Sequence, residues 1–271
     1  ITDHDNLCGA MEFAQAAVEL DIRAVIGAEA TLEDGWHLTL LAETQEGYRN
    51  LSRLVSHGYT DGERRDPRLD PRRIAEHAEG IILLTGCRDG RLAGLVEQGE
   101  AAEAEKLLRS YLEWSGTDNV FVELQQNLVY GDTQRNRRLI ELAGRLGAGV
   151  VATNNVHYHV PERHRLQDAV VAIRHNKTLE ETHRERRPNG HFYLKSPAQM
   201  AALFDGCPEA IENTLRIVDR CAGFDLTRHL GYRFPDYPAP DGYTPLSYLR
   251  ELCYEAARRR YTTIDARVRE R

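Results

Sequence analysis

The feature that most constrains this chain is an alternation. Short apolar runs rich in branched residues are separated by stretches with helical periodicity. The runs are 24–27 (AVIG), 38–42 (LTLLA), 80–85 (GIILLT), 120–124 (VFVEL) and 149–153 (GVVAT). Each is short and bounded by turn or polar residues, as expected of a strand buried on both faces. The helical stretches between them are 7–20, 45–57, 91–97, 101–114 and 133–146. In the last, Leu139, Leu142, Ala143 and Leu146 fall at helical spacing and form a stripe suited to packing on a sheet. Strand–helix alternation repeated this often predicts an α/β fold with a parallel sheet, open or closed.

Beyond residue 160 the pattern turns helical, over 161–174, 196–204 and 208–221. Ser196 and Pro197 form a helix start, with Ser as N-cap and Pro at the first position. Prolines and the aromatics Tyr232, Phe234, Tyr237 and Tyr243 crowd 225–245, which reads as an extended connector. Thr244-Pro245 then starts a helix running to about Tyr261. The arginine-rich run 63–73 reads as a solvated loop.

Composition narrows the function. The 271 residues carry a net charge of −7, so a broad electrostatic grip on duplex DNA is not expected. Mean hydropathy is −0.53, and no apolar run is long enough for a membrane helix. The polar start ITDHD is not a signal peptide. Five scattered cysteines without a CxxC pair argue against a disulfide framework and for a reducing cytoplasm. The chain opens without Met, on a charged cluster rather than on a strand or helix, which suggests a piece cut from a longer protein.

The candidate chemistry is positional. Most strand candidates are followed by a residue able to bind metal: Glu29, Cys87, the group Gln125, Gln126 and Asn127, and the group Asn154, Asn155 and His157. Asp3, His4 and Asp5 stand at the chain start, where a preceding strand would end. In α/β barrels reactive side chains gather at the C-terminal rim of the strands, so these groups would converge. Imidazole, carboxylate and thiolate together suit Zn²⁺ or a mixed Zn, Mn or Fe cluster. Such ions make hydroxide from water and hold both oxygens of a phosphoester displacement. The remaining histidines, His37 among them, are taken as surface or core residues, with His159 a candidate support for His157.

Five segments occur in a telling order: Thr2–Gly9 (TDHDNLCG), Ile26–Glu29 (IGAE), Leu84–Cys87 (LTGC), Phe121–Gln125 (FVELQ) and Ala152–Tyr158 (ATNNVHY). Together they resemble the successive motifs of the PHP (polymerase and histidinol phosphatase) domain of bacterial DNA polymerase III α subunits. The downstream HFYLKSP (191–197), LGYRFPDYP (230–238) and SYLREL (247–252) extend the likeness, in wording closest to error-prone members. The resemblance implies a distorted seven-stranded (β/α)7 barrel, TIM-barrel-like, here lacking its first strand. A PHP domain would span 1–224. A connector and the first helix of a polymerase module would span 225–271.

It further implies up to three divalent metal ions and a phosphoesterase acting as a 3′–5′ exonuclease. Carried over by motif, His4, Glu29, Cys87, Asn155 and His157 would be metal ligands. Asp3, His4 and His157 would be the catalytic group, with Asp3 supporting His4. Asn127 stands where the family often has His, and Asn155 where it has Asp. Both replacements weaken the cluster, so fewer than three ions are expected. The implied partners are DNA, the rest of the polymerase chain, a sliding clamp and other replisome or translesion subunits, with no membrane. Two alternatives stay open: a free-standing PHP phosphoesterase, and a degenerate scaffold domain of the polymerase.

Overall fold

The computed structural model describes residues 1–63, 66–231 and 237–270. Tyr232 and Phe234 of the expected connector, and Arg64 and Arg65 of the basic run, lie outside them. The elements in chain order are β1 (Thr2–His4), α1 (Ala10–Glu19), β2 (Gly27–Thr31), β3 (His37–Ala42), α2 (Gln45–Asp61) and α3 (Arg72–Glu76). There follow β4 (Ile81–Leu84), α4 (Arg91–Gln98), α5 (Ala101–Ser115), β5 (Val120–Gln125), α6 (Asp132–Leu146) and β6 (Gly149–Thr153). The helical remainder is α7 (His164–His175), α8 (Pro197–Leu203), α9 (Pro208–Cys221), α10 (Leu226–His229), α11 (Pro245–Arg260) and α12 (Ala266–Glu270). The chain divides into two compact units, Ile1–Leu230 and Gly231–Arg271.

The α/β expectation holds, with corrections. The six strands form one open sheet in chain order, β1 to β6. It is mixed rather than parallel: β3 runs antiparallel to both β2 and β4. The cause lies in the link from β2 to β3. A parallel pair needs a crossover of a dozen or more residues, whereas here Leu32–Trp36 turns the chain in five. Leu32 N–H donates to Trp36 O at 2.8 Å, and Gly35 takes φ +83°, a left-handed conformation open to glycine.

The second strand also lies later than expected, at Gly27–Thr31, so Glu29 is inside it rather than after it. The charged opening residues form a strand after all: Thr2–His4 pair in parallel with Gly27–Glu29. Part of the presumed extended connector is helical, since Leu226–His229 make α10 and Leu226 is buried. The presumed solvated loop also contributes to the core, because Leu69 is buried and bridges to Leu32.

Strand alternation sorts the side chains onto two faces. One face carries Leu38, Leu40, Leu83, Val120, Val122, Leu124 and Val150, packed in the main core with residues of α2, α4, α5 and α6. The other carries Leu41, Ile82, Leu84, Phe121 and Val151, packed against Ile217 and Cys221 of α9. Along this second face the chemistry changes. The positions that continue it towards the far rim are Glu29, His37, Thr39, Glu123, Gln125 and Thr153. Because β3 is reversed, its first residue reaches the same rim as the C-terminal ends of β1, β4, β5 and β6.

Candidate metal centre

A cavity of about 750 Å³ opens on that rim. Its floor is apolar, with Leu41, Leu84, Val151 and Ile217, and its mouth is polar. The six residues carried over by motif all line it: Asp3, His4, Glu29, Cys87, Asn155 and His157. Groups up to 154 positions apart in sequence therefore meet in one place, as the strand-rim argument anticipates.

The tightest cluster is His4, Glu29 and His37, whose donor atoms all lie within 4.8 Å of one another. His37 Nδ1 is 2.9 Å from Glu29 Oε1, and His4 Nε2 is 3.6 Å from Glu29 Oε2. The two imidazoles meet edge to face, with centroids 5.1 Å apart. Each carboxylate oxygen of Glu29 thus faces a different ring. Burial alone would raise the Glu29 carboxyl, but the His37 hydrogen bond and the neighbouring imidazoles outweigh it and hold the group below its usual value. The same hydrogen bond raises His37 against the effect of burial.

Sequence reasoning misses His37, placing it among surface or core residues. A signal is present: Asp34-Gly35 between two apolar runs marks a tight hairpin. In that hairpin Glu29 faces Thr39, and His37 lies two positions further on the same face.

Cys87 and His157 complete the wall. Cys87 is buried with Sγ 3.8 Å from Glu29 Oε1, and Asp89 N–H donates to its sulfur at 3.4 Å. Burial, then the negative charge of Glu29, raises its thiol far above the ordinary range, so it is protonated while no cation is near. His157 Nε2 is buried without a hydrogen-bond partner. Burial and then the Arg187 charge lower this imidazole to about 4, so it is neutral at physiological pH, as a metal ligand must be. Its backbone N–H donates to Phe192 O at 2.9 Å, which fixes the segment after β6.

Glu123 also escapes a reading of the sequence, because it sits inside a run that reads only as a strand. It lines the cavity and is buried. Gln125 Nε2 donates to it at 2.9 Å and Thr39 Oγ1 at 3.4 Å, and Thr153 Oγ1 donates as well. Burial nevertheless raises its carboxyl.

Several sequence candidates have structural work instead. Asp5 accepts from Thr31 N and Oγ1, both at 2.7 Å, and so fastens β1 to β2. Asn127 is buried away from the main cavity: its Nδ2 donates to Asn154 O at 3.0 Å and its O accepts from Asn189 Nδ2 at 2.9 Å. Asn154 donates to Tyr193 O and accepts from Lys195 Nζ at 2.8 Å. Asn155 does reach the cavity, in a left-handed conformation with φ +46°. His159 is exposed and lines no part of the cavity.

The donor set fits a borderline divalent ion. Two imidazoles face one carboxylate, an unpartnered imidazole nitrogen lies buried in the same wall, and a thiol stands beside the carboxylate. No helix among the described residues is long and apolar enough to cross a membrane.

Comparison with known proteins points the same way. Residues 1–127 match the PHP domain family. All of the chain aligns at 37% identity with the error-prone DNA polymerase of Symbiobacterium thermophilum. Over 96% of its length it is 39% identical to the error-prone DNA polymerase of Mycobacterium tuberculosis. Over the same share it is 36% identical to the DNA polymerase III subunit alpha of Pseudomonas aeruginosa. The chain spans about a quarter of these relatives, 26%, 25% and 22% of their lengths. The expected resemblance therefore stands: residues 1–127 match the PHP domain family, in a chain similar along its length to part of the error-prone DNA polymerases and DNA polymerase III α subunits.

Proposed function

We propose that this chain is the PHP portion of an error-prone-type DNA polymerase and that its rim cavity is a metal-dependent phosphoesterase site acting on the 3′ end of a DNA strand. The observation that carries this reading is the convergence of His4, Glu29 and His37 with the unpartnered His157 in one cavity. Residues 1–224 would form the domain and 225–271 the join to the polymerase module. DNA, the rest of that polymerase and, beyond it, a sliding clamp or translesion subunits would be its partners in the cytoplasm.

His4, Glu29 and His37 would hold one divalent ion, Zn²⁺, Mn²⁺ or Fe²⁺, with Cys87, His157 and Asn155 flanking it. When bound, such an ion supplies Lewis-acid activation of water and of the phosphoester. The chain does the rest. Glu29 presents one oxygen to each flanking imidazole, hydrogen-bonded to His37 and 3.6 Å from His4. His157, neutral at physiological pH, offers a lone pair or takes up a proton at Nε2. Asp3, on the same strand as His4, would support it. The apolar floor of Leu41, Leu84 and Val151 limits water behind the reacting group.

A second reading, a scaffold without turnover, is favoured by Asn127. Where the family often has His, this side chain is tied into backbone contacts outside the main cavity. One pair of measurements separates the two. The first is metal content after loading with Mn²⁺ or Zn²⁺. The second is 3′-end hydrolysis of single-stranded DNA. Stoichiometric metal lost in His37→Ala, together with hydrolysis lost in His157→Ala, supports the enzyme. A folded chain that retains no metal refutes it.

A further inference from the structure

Beside the metal cavity lies a second, smaller one of about 280 Å³, and the two share Gln125 and Asn155. Its lining is cationic: five arginines stand against Asp89, Asp132 and Glu185. In a chain of net charge −7 this local excess is unusual.

The arginines are not equivalent. Arg135 is buried and saturated, 2.8 Å from both Asp132 and Glu97. Arg186 is anchored to Asp168 at 2.9 Å, yet its Nε is buried without a partner. Arg88 has only a 3.6 Å approach to Glu97 Oε1, an oxygen already taken by Arg135. Arg187 has only a 3.7 Å approach to the exposed Asp89. Arg88 and Arg187 thus carry charge that the fold does not neutralise at hydrogen-bond distance.

Arg187 is also held in place. Its guanidinium lies 5.3 Å from the centroid of the Phe192 ring. Phe192 in turn lies against His157, with ring centroids 6.1 Å apart, and accepts the His157 N–H. The guanidinium is therefore stacked one ring away from an imidazole of the metal cavity. A planar fork on a rigid aromatic base is suited to bidentate contact with a phosphate.

We propose that Arg187 and Arg88 form a phosphate subsite that takes the phosphodiester next to the one in the metal cavity. The subsite rests on the phosphoesterase reading for its purpose, but its binding chemistry is separable from metal. Two adjoining pockets, one for the reacting phosphate and one for its neighbour, would favour a strand over a small phosphomonoester.

The test is binding of a fluorescently labelled short oligothymidylate by the full 271-residue chain, followed by anisotropy in EDTA between ~50 and ~200 mM salt. Arg187→Gln and Arg88→Gln are each expected to weaken binding about five- to tenfold. Each should lower the slope of log affinity against log salt by about 0.7, one contact on a single strand. Arg187→Lys should retain the slope and lose part of the affinity, because it keeps the charge without the fork. Arg109→Gln, which removes a guanidinium paired with Glu105 on α5, should change nothing. Unchanged affinity and slope in both pocket variants overturn the proposal, as does the absence of measurable binding by the unaltered chain. Arginine-dependent binding of inorganic phosphate without oligonucleotide binding also overturns it. The metal reading fails on a different readout, the manganese content of His37→Ala, which neither arginine substitution moves.

Discussion

The same substitution, glycine to alanine, should have opposite effects at two helical positions of this chain. Gly47 is buried near the start of α2. A Cβ there would lie 1.7 Å from Gly80 O and 2.5 Å from Gly80 C, both backbone atoms that cannot swing aside. Relief requires α2 to retreat by more than 1 Å from the turn before β4. That retreat stretches the bonds from Asn50 Nδ2 to Glu79 O at 3.0 Å and from Glu43 N–H to Gly80 O at 2.9 Å. Overpacking costs about 1–3 kcal/mol, and each weakened hydrogen bond about 1 kcal/mol. The intrinsic helix preference of Ala returns about 0.5–1 kcal/mol. The net expectation for Gly47→Ala is a loss of about 2–4 kcal/mol.

Gly144 sits in α6 at an exposed position, with no atom within 4 Å of where a methyl group would stand. There only the helix preference acts, and Gly144→Ala should gain about 0.5–1 kcal/mol. The two variants should therefore differ by about 2.5–5 kcal/mol. Urea unfolding followed by far-ultraviolet circular dichroism reads this directly. With a slope of about 2–3 kcal/mol/M, the midpoints should separate by at least about 0.8 M. Midpoints that coincide, or a Gly47→Ala variant as stable as the parent, would show that α2 does not press on the Gly80 turn. That outcome would also undermine the support of β3, on which α2 packs and from which His37 projects.

Other consequences can be checked more briefly. At pH 8 the exposed Cys8 and Cys253 should react quickly with a disulfide reagent. Cys87, raised by burial, and Cys221, pushed up to about 11 by burial, should react only on unfolding; early labelling of Cys87 would contradict its placement. Asp132→Ala should destabilise by about 3–5 kcal/mol, because it takes one of its two carboxylates from the buried Arg135 and removes the acceptor for Asn127 N–H and Val129 N–H. A loss under 1 kcal/mol in urea unfolding would refute that account. Asn127→Ala should cost about 1–3 kcal/mol of stability while leaving metal content after Mn²⁺ loading unchanged, since the side chain serves the loops rather than the cavity. A fall in metal content at unchanged stability would reverse that assignment.

Much of this architecture is legible in the sequence, for definite reasons. Helices such as α6 and α9 announce themselves by spacing and by Pro or Gly at their ends, which are local signals. The order of metal-capable residues after the strands is legible because barrel-type sheets gather strand ends on one rim. The reversal of β3 is not, because periodicity reports burial and not direction. The sign of a strand lies in its connection, and here a five-residue turn decides it. His37 and Glu123 are lost with it: one stands at the start of a strand, the other inside one, where the search for residues following strands does not look. Asn127 shows the converse failure, since its position after β5 fits the rim pattern while its hydrogen bonds face the neighbouring loops.

The hairpin of β2 and β3 has a bearing on how the centre is assembled in time. Glu29 and His37 are eight residues apart and meet through a five-residue turn. Hairpins close within about 1–10 µs, whereas pairing of distant strands is far slower. His157, more than a hundred residues away, can arrive only when the sheet is complete to β6. Two donors of the centre thus belong to one local hairpin, whereas the last depends on strands paired across the whole sheet.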